Sequence, residues 1–260
     1  FKRNKITLVC GGYHEILDGD LVCLTTHQLF RYEKYFDLLI MDEVDAFPYQ
    51  GSDILHRFFT RSLKKNYILM SATITPELMT QIKNDGTQVL ELFQRFHKHP
   101  LPIPECITTN ILILYYKLIK ECSIFIKNGK PFFIFCPTIS ICENLYKLIR
   151  PFLKGGIFVH SKVTNRQALI NDFKNGKFKY LVTTAILERG VTVKDLQVVV
   201  FLADHKIYDR YSLIQISGRA GRKKEAPEGR VIFLARKNTE EIEECISDIV
   251  RSNANMQKLF

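Results

Sequence analysis

No run of apolar residues in this 260-residue sequence is long enough to cross a bilayer, and its opening residues do not read as a signal peptide. No transmembrane helix is expected within these residues. A cytoplasmic protein is expected, one that reaches the inner face of the cell membrane only through partners. C-x-x-C pairs are also absent. The seven cysteines are scattered, often inside apolar runs (Cys10, Cys23, Cys136). An odd, unpaired set fits neither a disulfide framework nor a zinc site; it fits small core residues in a reducing compartment. Acid is in short supply, with 27 Asp and Glu against 37 Lys and Arg. The resulting net charge of +10 and pI near 9.2 favour nucleic acid or an anionic membrane surface, and also suit a merely soluble basic protein. There is no tandem repeat and no low-complexity tract.

What is present is a chain rich enough in apolar residues (46%) to build a core, at a length suited to one large or two ordinary domains. The first half is organised around Asp42-Glu43-Val44-Asp45, directly behind the apolar run Phe36 to Met41. Such a run ending in carboxylates predicts a buried parallel strand whose carboxyl end faces a cleft. An Asp there can hold Mg²⁺ on nucleotide phosphates and a neighbouring Glu can orient or deprotonate water; a solvated acidic turn would carry the same residues. Three further stretches surround it. Ile6 to Cys10 reads as a strand leading into Gly11-Gly12. Leu21 to Leu24 reads as a buried strand ending at Thr25-Thr26-His27-Gln28, whose hydroxyls and amide can contact phosphate, although Thr25 or Thr26 as a helix N-cap is the stronger reading. After a helix around Ile54 to Leu63, Tyr67 to Met70 delivers Ser71-Ala72-Thr73, and Thr75-Pro76-Glu77 starts another helix.

Pro100, Pro102 and Pro104 favour an extended segment, so a linker is expected over 96–108, between domains 1–95 and 109–260. His97, His99 and Cys106 lie there without the paired spacing of a metal site. Beyond it the pattern alternates. Helices are expected over Ile111 to Lys127 and Ser140 to Lys154, and in a segment opened by a Thr164/Gln167 capping box and ending near Gly176. Strands are expected at Phe132 to Cys136, Ile157 to Val159 (leading to His160-Ser161), Tyr180 to Thr183 and Val198 to Leu202. Alternation of this kind implies right-handed βαβ units and a parallel sheet. The most specific stretch is Gln215-Ile216-Ser217-Gly218-Arg219-Ala220-Gly221-Arg222. Two arginines three apart fall on one side of a helical turn, and glycines leave room for close approach. Such a pair suits bidentate phosphate contact and can act as an arginine finger; Lys223 and Lys224 leave a basic surface patch as the rival reading.

Taken together, Asp42-Glu43-Val44-Asp45, Ser71-Ala72-Thr73 and Gln215-x-x-Gly218-Arg219-x-Gly221-Arg222 resemble motifs II, III and VI of the superfamily 2 helicases. Thr183-Thr184 through Glu188-Arg189-Gly190-Val191 is similar to motif V, and Phe135-Cys136-Pro137-Thr138 to motif IV. Thr25-Thr26-His27-Gln28, Asp42-Glu43-Val44-Asp45-Ala46-Phe47-Pro48-Tyr49 and Leu187 to Thr192 resemble the bacterial late competence ATPases, DEAD-box-like proteins linked to uptake of single-stranded transforming DNA. The resemblance implies an α/β fold of two RecA-like lobes with parallel sheets flanked by helices, and an ATP hydrolase or helicase acting with ATP and Mg²⁺. It implies that Asp42 holds Mg²⁺, that Glu43 activates water, and that Gln215, Arg219 and Arg222 complete the ATP site. Ser71, Thr73 and Gly190 would couple nucleotide state to lobe movement. Gly11, Gly12, Thr25, Thr26, His27, Gln28, His160, Ser161, Thr183 and Thr184 would track a DNA backbone. Single-stranded DNA is the implied partner, with other competence proteins at the membrane. Two parts of the family pattern are missing from these residues: the G-x-x-x-x-G-K-[ST] phosphate loop and a cysteine-rich zinc module. Val191-Thr192 also stands where many relatives carry an Asp two after the glycine. The expectation is a first lobe truncated at its N-terminus, inactive alone within an active parent. A non-catalytic binding module, or a replication-restart or RNA helicase of the same superfamily, is the alternative.

Overall fold

The computed structural model describes residues 5–12, 17–44, 49, 51–71, 79–80, 82, 84, 86–92, 95, 97–184 and 191–257. The chain forms two compact units, residues 1–90 and 91–260. In the first, β1 (Ile6–Val9) pairs in parallel with β2 (Leu21–Leu24), and β3 (Phe36–Met41) in parallel with β4 (Leu63–Leu69). Helix α1 (Asp53–Ser62) connects β3 to β4, and its first turn is closed by the Leu55 N–H donating to Ser52 Oγ at 3.4 Å. The core of this unit gathers Val9, Leu29, Tyr32, Phe36, Leu39, Met41, Leu55 and Phe59. The strands are less buried than their composition suggests. Leu38 and Ile40 on β3 are 52% and 53% exposed, because only one face of the pleat is packed.

The second unit holds one six-stranded sheet in the order β5-β10-β9-β6-β8-β7, with every pairing parallel. Its strands are β5 (Glu105–Thr108), β6 (Phe132–Cys136), β7 (Gly156–Val159), β8 (Tyr180–Thr184), β9 (Gln197–Phe201) and β10 (Val231–Ala235). Every residue of β6, β8, β9 and β10 is buried, as a parallel sheet covered on both faces requires. Helices α2 (Ile111–Lys127) and α3 (Ile139–Ile149) cover one face, where Leu114, Leu118, Leu145 and Ile149 meet Phe132, Ile134 and Val199. Helices α4 (Arg166–Lys174), α5 (Arg210–Ser217) and α6 (Glu240–Gln257) cover the other, where Ile170, Leu213 and Ile242 meet Phe133, Phe135 and Phe233. Each such phenylalanine contributes on the order of 2 kcal/mol by leaving water. At the outer edge, Gly156 lies flat on the buried Tyr180 ring, where a Cβ would collide with it. Tyr180 in turn donates to the Leu153 carbonyl at 2.8 Å, and burial pushes its phenol well up.

Three expectations change. The stretch expected to be a free linker supplies β5, which pairs with β10 at the sheet edge. The proline segment before it is anchored, with the Leu101 N–H donating to Asn253 Oδ1 at 2.8 Å and Asn253 Nδ2 donating back to the Leu101 carbonyl at 2.9 Å. Asn165, not Thr164, precedes α4, and no side chain caps it, so the capping box does not form. Helix α3 stops at Ile149, ahead of Pro151 and short of the expected Lys154.

Candidate functional site

In the first unit the apolar strand β3 hands directly to the carboxylates. Met41 is buried; Asp42 and Glu43 are exposed. The chain turns sharply here, for Glu43 adopts a left-handed φ of +57° and its N–H donates to Asp42 Oδ1 at 2.9 Å. A bulky residue holds that conformation only where its surroundings impose it, and such strain gathers at functional positions. Backbone bonds impose it. The Met70 N–H donates to the Met41 carbonyl at 2.8 Å, and the Val44 N–H donates to the Met70 carbonyl at 3.2 Å. The acidic turn is thus stitched to the end of β4, and Ser71, exposed, leaves β4 from that stitch. Below it Tyr49 is buried against the His56 ring, with centroids 4.2 Å apart, and burial pushes its phenol up to about 12. Exposed carboxylate oxygens are hard donors that suit an ion taking its other ligands from phosphate and water, as Mg²⁺ does. Asp45, Thr73 and the helix start at residues 75–77 lie outside the described residues.

The remaining groups of this unit sit at other strand ends. Gly11 and Gly12 form an exposed turn after β1. Thr25 and His27 are exposed and Thr26 and Gln28 half-buried, around a 3₁₀ helix over Thr26–Arg31. Thr25 stands at the N-cap position expected from sequence, with its carbonyl accepting from the Gln28 N–H at 2.8 Å, but its side chain makes no capping hydrogen bond. The Gln28 amide oxygen accepts from Arg31 Nε at 2.6 Å.

In the second unit the parallel sheet brings the carboxyl ends of β6, β7 and β8 to one rim. Thr183 and Thr184 are both buried there; Thr183 Oγ1 donates to the Thr184 carbonyl at 3.2 Å, and the Thr184 hydroxyl has no hydrogen-bond partner among the described residues. His160 is only 4% exposed. Its Nδ1 accepts from the Lys162 N–H at 3.3 Å, which leaves the proton on Nε2, 3.0 Å from Glu143 Oε1. Ser161, next to it, is the exposed group of this strand end. Gly190 lies outside the described residues.

The arginine stretch begins in α5 and ends beyond it. Asp209 caps the helix, accepting from the Ser212 N–H at 2.7 Å. The helix stops at Ser217. The Arg219 N–H donates to the Ile216 carbonyl at 3.1 Å and the Ala220 N–H to the Ser217 carbonyl at 3.2 Å, one further tight turn. Gly221, with φ of +61°, then takes the chain away. The arginines therefore do not share one side of a helix: Arg219 is 6% exposed and Arg222 projects into solvent. Gln215 is half-buried on the last turn of α5. Arg95 was not singled out from sequence, since an Arg between Gln94 and Phe96 carries no motif. It nevertheless binds this turn. Its Nη1 donates to the carbonyls of Gly221 at 2.9 Å and Ala220 at 3.2 Å, and its Nη2 to that of Gly218 at 3.2 Å. A Cβ on Gly221 would collide with the Pro227 carbonyl, and its φ is unfavourable to any side chain. Gly221→Ala should therefore cost about 2 kcal/mol or more, read as a lowered melting temperature of the chain; an unchanged melt would mean that the 227–229 segment moves aside freely.

Residues 115–224 match the helicase conserved C-terminal domain. The whole sequence is similar to competence protein ComFA of Streptococcus pneumoniae, 35% identical over 260 residues, covering 95% of this chain and 60% of that protein. It is 34% identical over 223 residues to competence protein ComFA of Bacillus subtilis, covering 82% of this chain and 48% of the relative. The chain thus spans about half the length of the curated relatives it matches. Among solved structures, Saccharomyces cerevisiae Dbp5 bound to RNA and ADP BeF3 superposes with a TM-score of 0.71 at 20% identity, over 96% of this chain and 68% of that one. Mycobacterium smegmatis helicase Lhr bound to ssDNA and AMP-PNP gives 0.63 at 15% identity, over 97% of this chain and 37% of that one. At such identities these likenesses establish the fold, and the α/β architecture of RecA-like helicase lobes expected from the motifs is the one found.

Proposed function

We start from a chain that carries a helicase conserved C-terminal domain and is similar to competence protein ComFA, and we propose that it is part of an ATP-dependent translocase or helicase on single-stranded DNA, working in competence-related DNA uptake. Residues of both units would serve hydrolysis, and its cycle would drive movement along the strand. Asp42 holds the Mg²⁺ that accompanies ATP, and Glu43 orients the attacking water and takes its proton. Ser71 and Thr73 report nucleotide state to the rest of the first unit. Gln215, Arg219 and Arg222 contact the phosphates from the second. Gly11, Gly12, Thr25, Thr26, His27, Gln28 and Ser161 face the DNA backbone, with the buried His160, Thr183 and Thr184 shaping their strand ends from within. The observation that carries this reading is the stitched acidic turn, in which backbone bonds from Met41 and Val44 tie the exposed carboxylate pair to Met70, the residue before Ser71.

The test is ATP hydrolysis by the full-length natural protein, with and without single-stranded DNA, at two salt concentrations. Strong stimulation by DNA that weakens as salt rises is expected, because phosphate contacts release counterions. Hydrolysis indifferent to DNA, with DNA binding retained, would make the protein a clamp or adaptor.

A further inference from the structure

The turn that carries Arg219 and Arg222 leaves the last carbonyls of α5 and its exit without helical partners, as every helix end does. Three of them, on Gly218, Ala220 and Gly221, are taken up by one side chain, the guanidinium of Arg95. We propose that Arg95 is a positioning residue that fixes the arginine turn in the conformation from which Arg222 projects; this rests on the reading that Arg219 and Arg222 act on nucleotide phosphate.

The chemistry fits arginine and little else. A planar fork with five N–H donors can reach three separate carbonyls at once, whereas an ammonium is a single point with flexible reach. A cation at the end of α5 also matches the negative pole of that helix. The placement is costly. Burial, and then the charge of Arg222, lower the Arg95 pKa to about 10. A half-buried cation held beside another cation implies a geometric demand that outweighs the repulsion. His97 adds to the clamp from two residues further on: its ring faces the Gly221 carbonyl, while its Nδ1 accepts from the His99 N–H at 3.2 Å. Arg95 also stands in the segment that leaves the first unit at Leu90.

The experiment compares the wild-type full-length protein with Arg95→Ala and Arg95→Lys by amide hydrogen exchange and by steady-state hydrolysis. Amides of residues 218–222 should exchange roughly tenfold faster or more in Arg95→Ala, with β6 and β9 unchanged, and Arg95→Lys should fall between. Turnover should drop about tenfold or more while KM for ATP stays within about twofold, and adding Arg95→Ala to Arg222→Ala should cause no further loss. If Arg95→Ala does not fold, Arg95→Lys alone decides, by faster exchange confined to the turn. Unchanged exchange at 218–222, or exchange raised through the whole sheet, overturns the proposal. An inactive wild-type protein would sink the functional reading only, since the exchange result still decides the role of Arg95.

Discussion

Arg222→Ala in the full-length protein is expected to lower ATP turnover by about 10³-fold or more and to leave the melting temperature unchanged. The two halves of that statement have separate causes. Arg222 projects into solvent past Gly221, so its removal opens no cavity and strands no buried partner. The lost quantity is neutralisation of charge building on a transferring phosphoryl group, which a fixed guanidinium supplies without reorganising at the moment of reaction. Arg222→Lys keeps a charge but loses the bidentate fork, and should recover only part of the rate. Arg219→Ala should lower turnover as far but also destabilise the second unit, because that side chain is 6% exposed and sits within the turn. Steady-state hydrolysis beside thermal melting separates the two arginines. A full rate in Arg222→Ala would return the stretch Arg222-Lys223-Lys224 to a solvated basic patch.

Glu43→Gln should reduce turnover by roughly 10² to 10⁴, the span commonly lost with a general base, while nucleotide affinity holds. Glutamine has the same shape and takes the φ of +57° on the same terms, so the backbone bonds from Met70 and Val44 stay in place. Only the ability to accept a proton goes. Asp42→Asn is the informative contrast: it keeps an oxygen for the Glu43 N–H but loses the charge for Mg²⁺, so its defect should shrink as Mg²⁺ is raised. A Glu43→Gln protein that turns over normally would remove Glu43 from the chemistry.

Much of this architecture was legible because a parallel sheet buried on both faces writes itself as unbroken apolar runs. Phe132 to Cys136 could hardly be anything else, and its position fixed α2 and α3 around it. β5 was not legible. Its four residues, Glu105 to Thr108, hold only two apolar side chains between two polar ones and follow three prolines, and they become a strand because β10 offers them an edge. The apolar run of β10 and the long helix α6 after it drew no notice, being far from any motif. In the site, the acidic turn was legible by type but its left-handed glutamate was not, since only Gly, Asn or Asp would have signalled that φ. The divergence of Arg219 and Arg222 depends on α5 stopping at Ser217, and spacing alone cannot tell a helix from the turn that follows it. The approach of His160 Nε2 to Glu143 at 3.0 Å joins the end of β7 to α3, which no spacing along the chain reveals.

The strand order of the second unit also sets a schedule for its synthesis. The first of its strands to leave the ribosome, β5, finds its partner only in β10, the last: Glu105 pairs with Ile232 and Thr108 with Ala235. β10 also fills the gap between β5 and β9. Until it emerges, the nascent chain carries an unpaired β5 and a bare apolar edge on Gln197–Phe201, the kind of edge that recruits a neighbouring chain. The sheet therefore closes only once β10 has emerged, through its most distant pairing, and a stall before residue 235 leaves a nascent chain poised to aggregate.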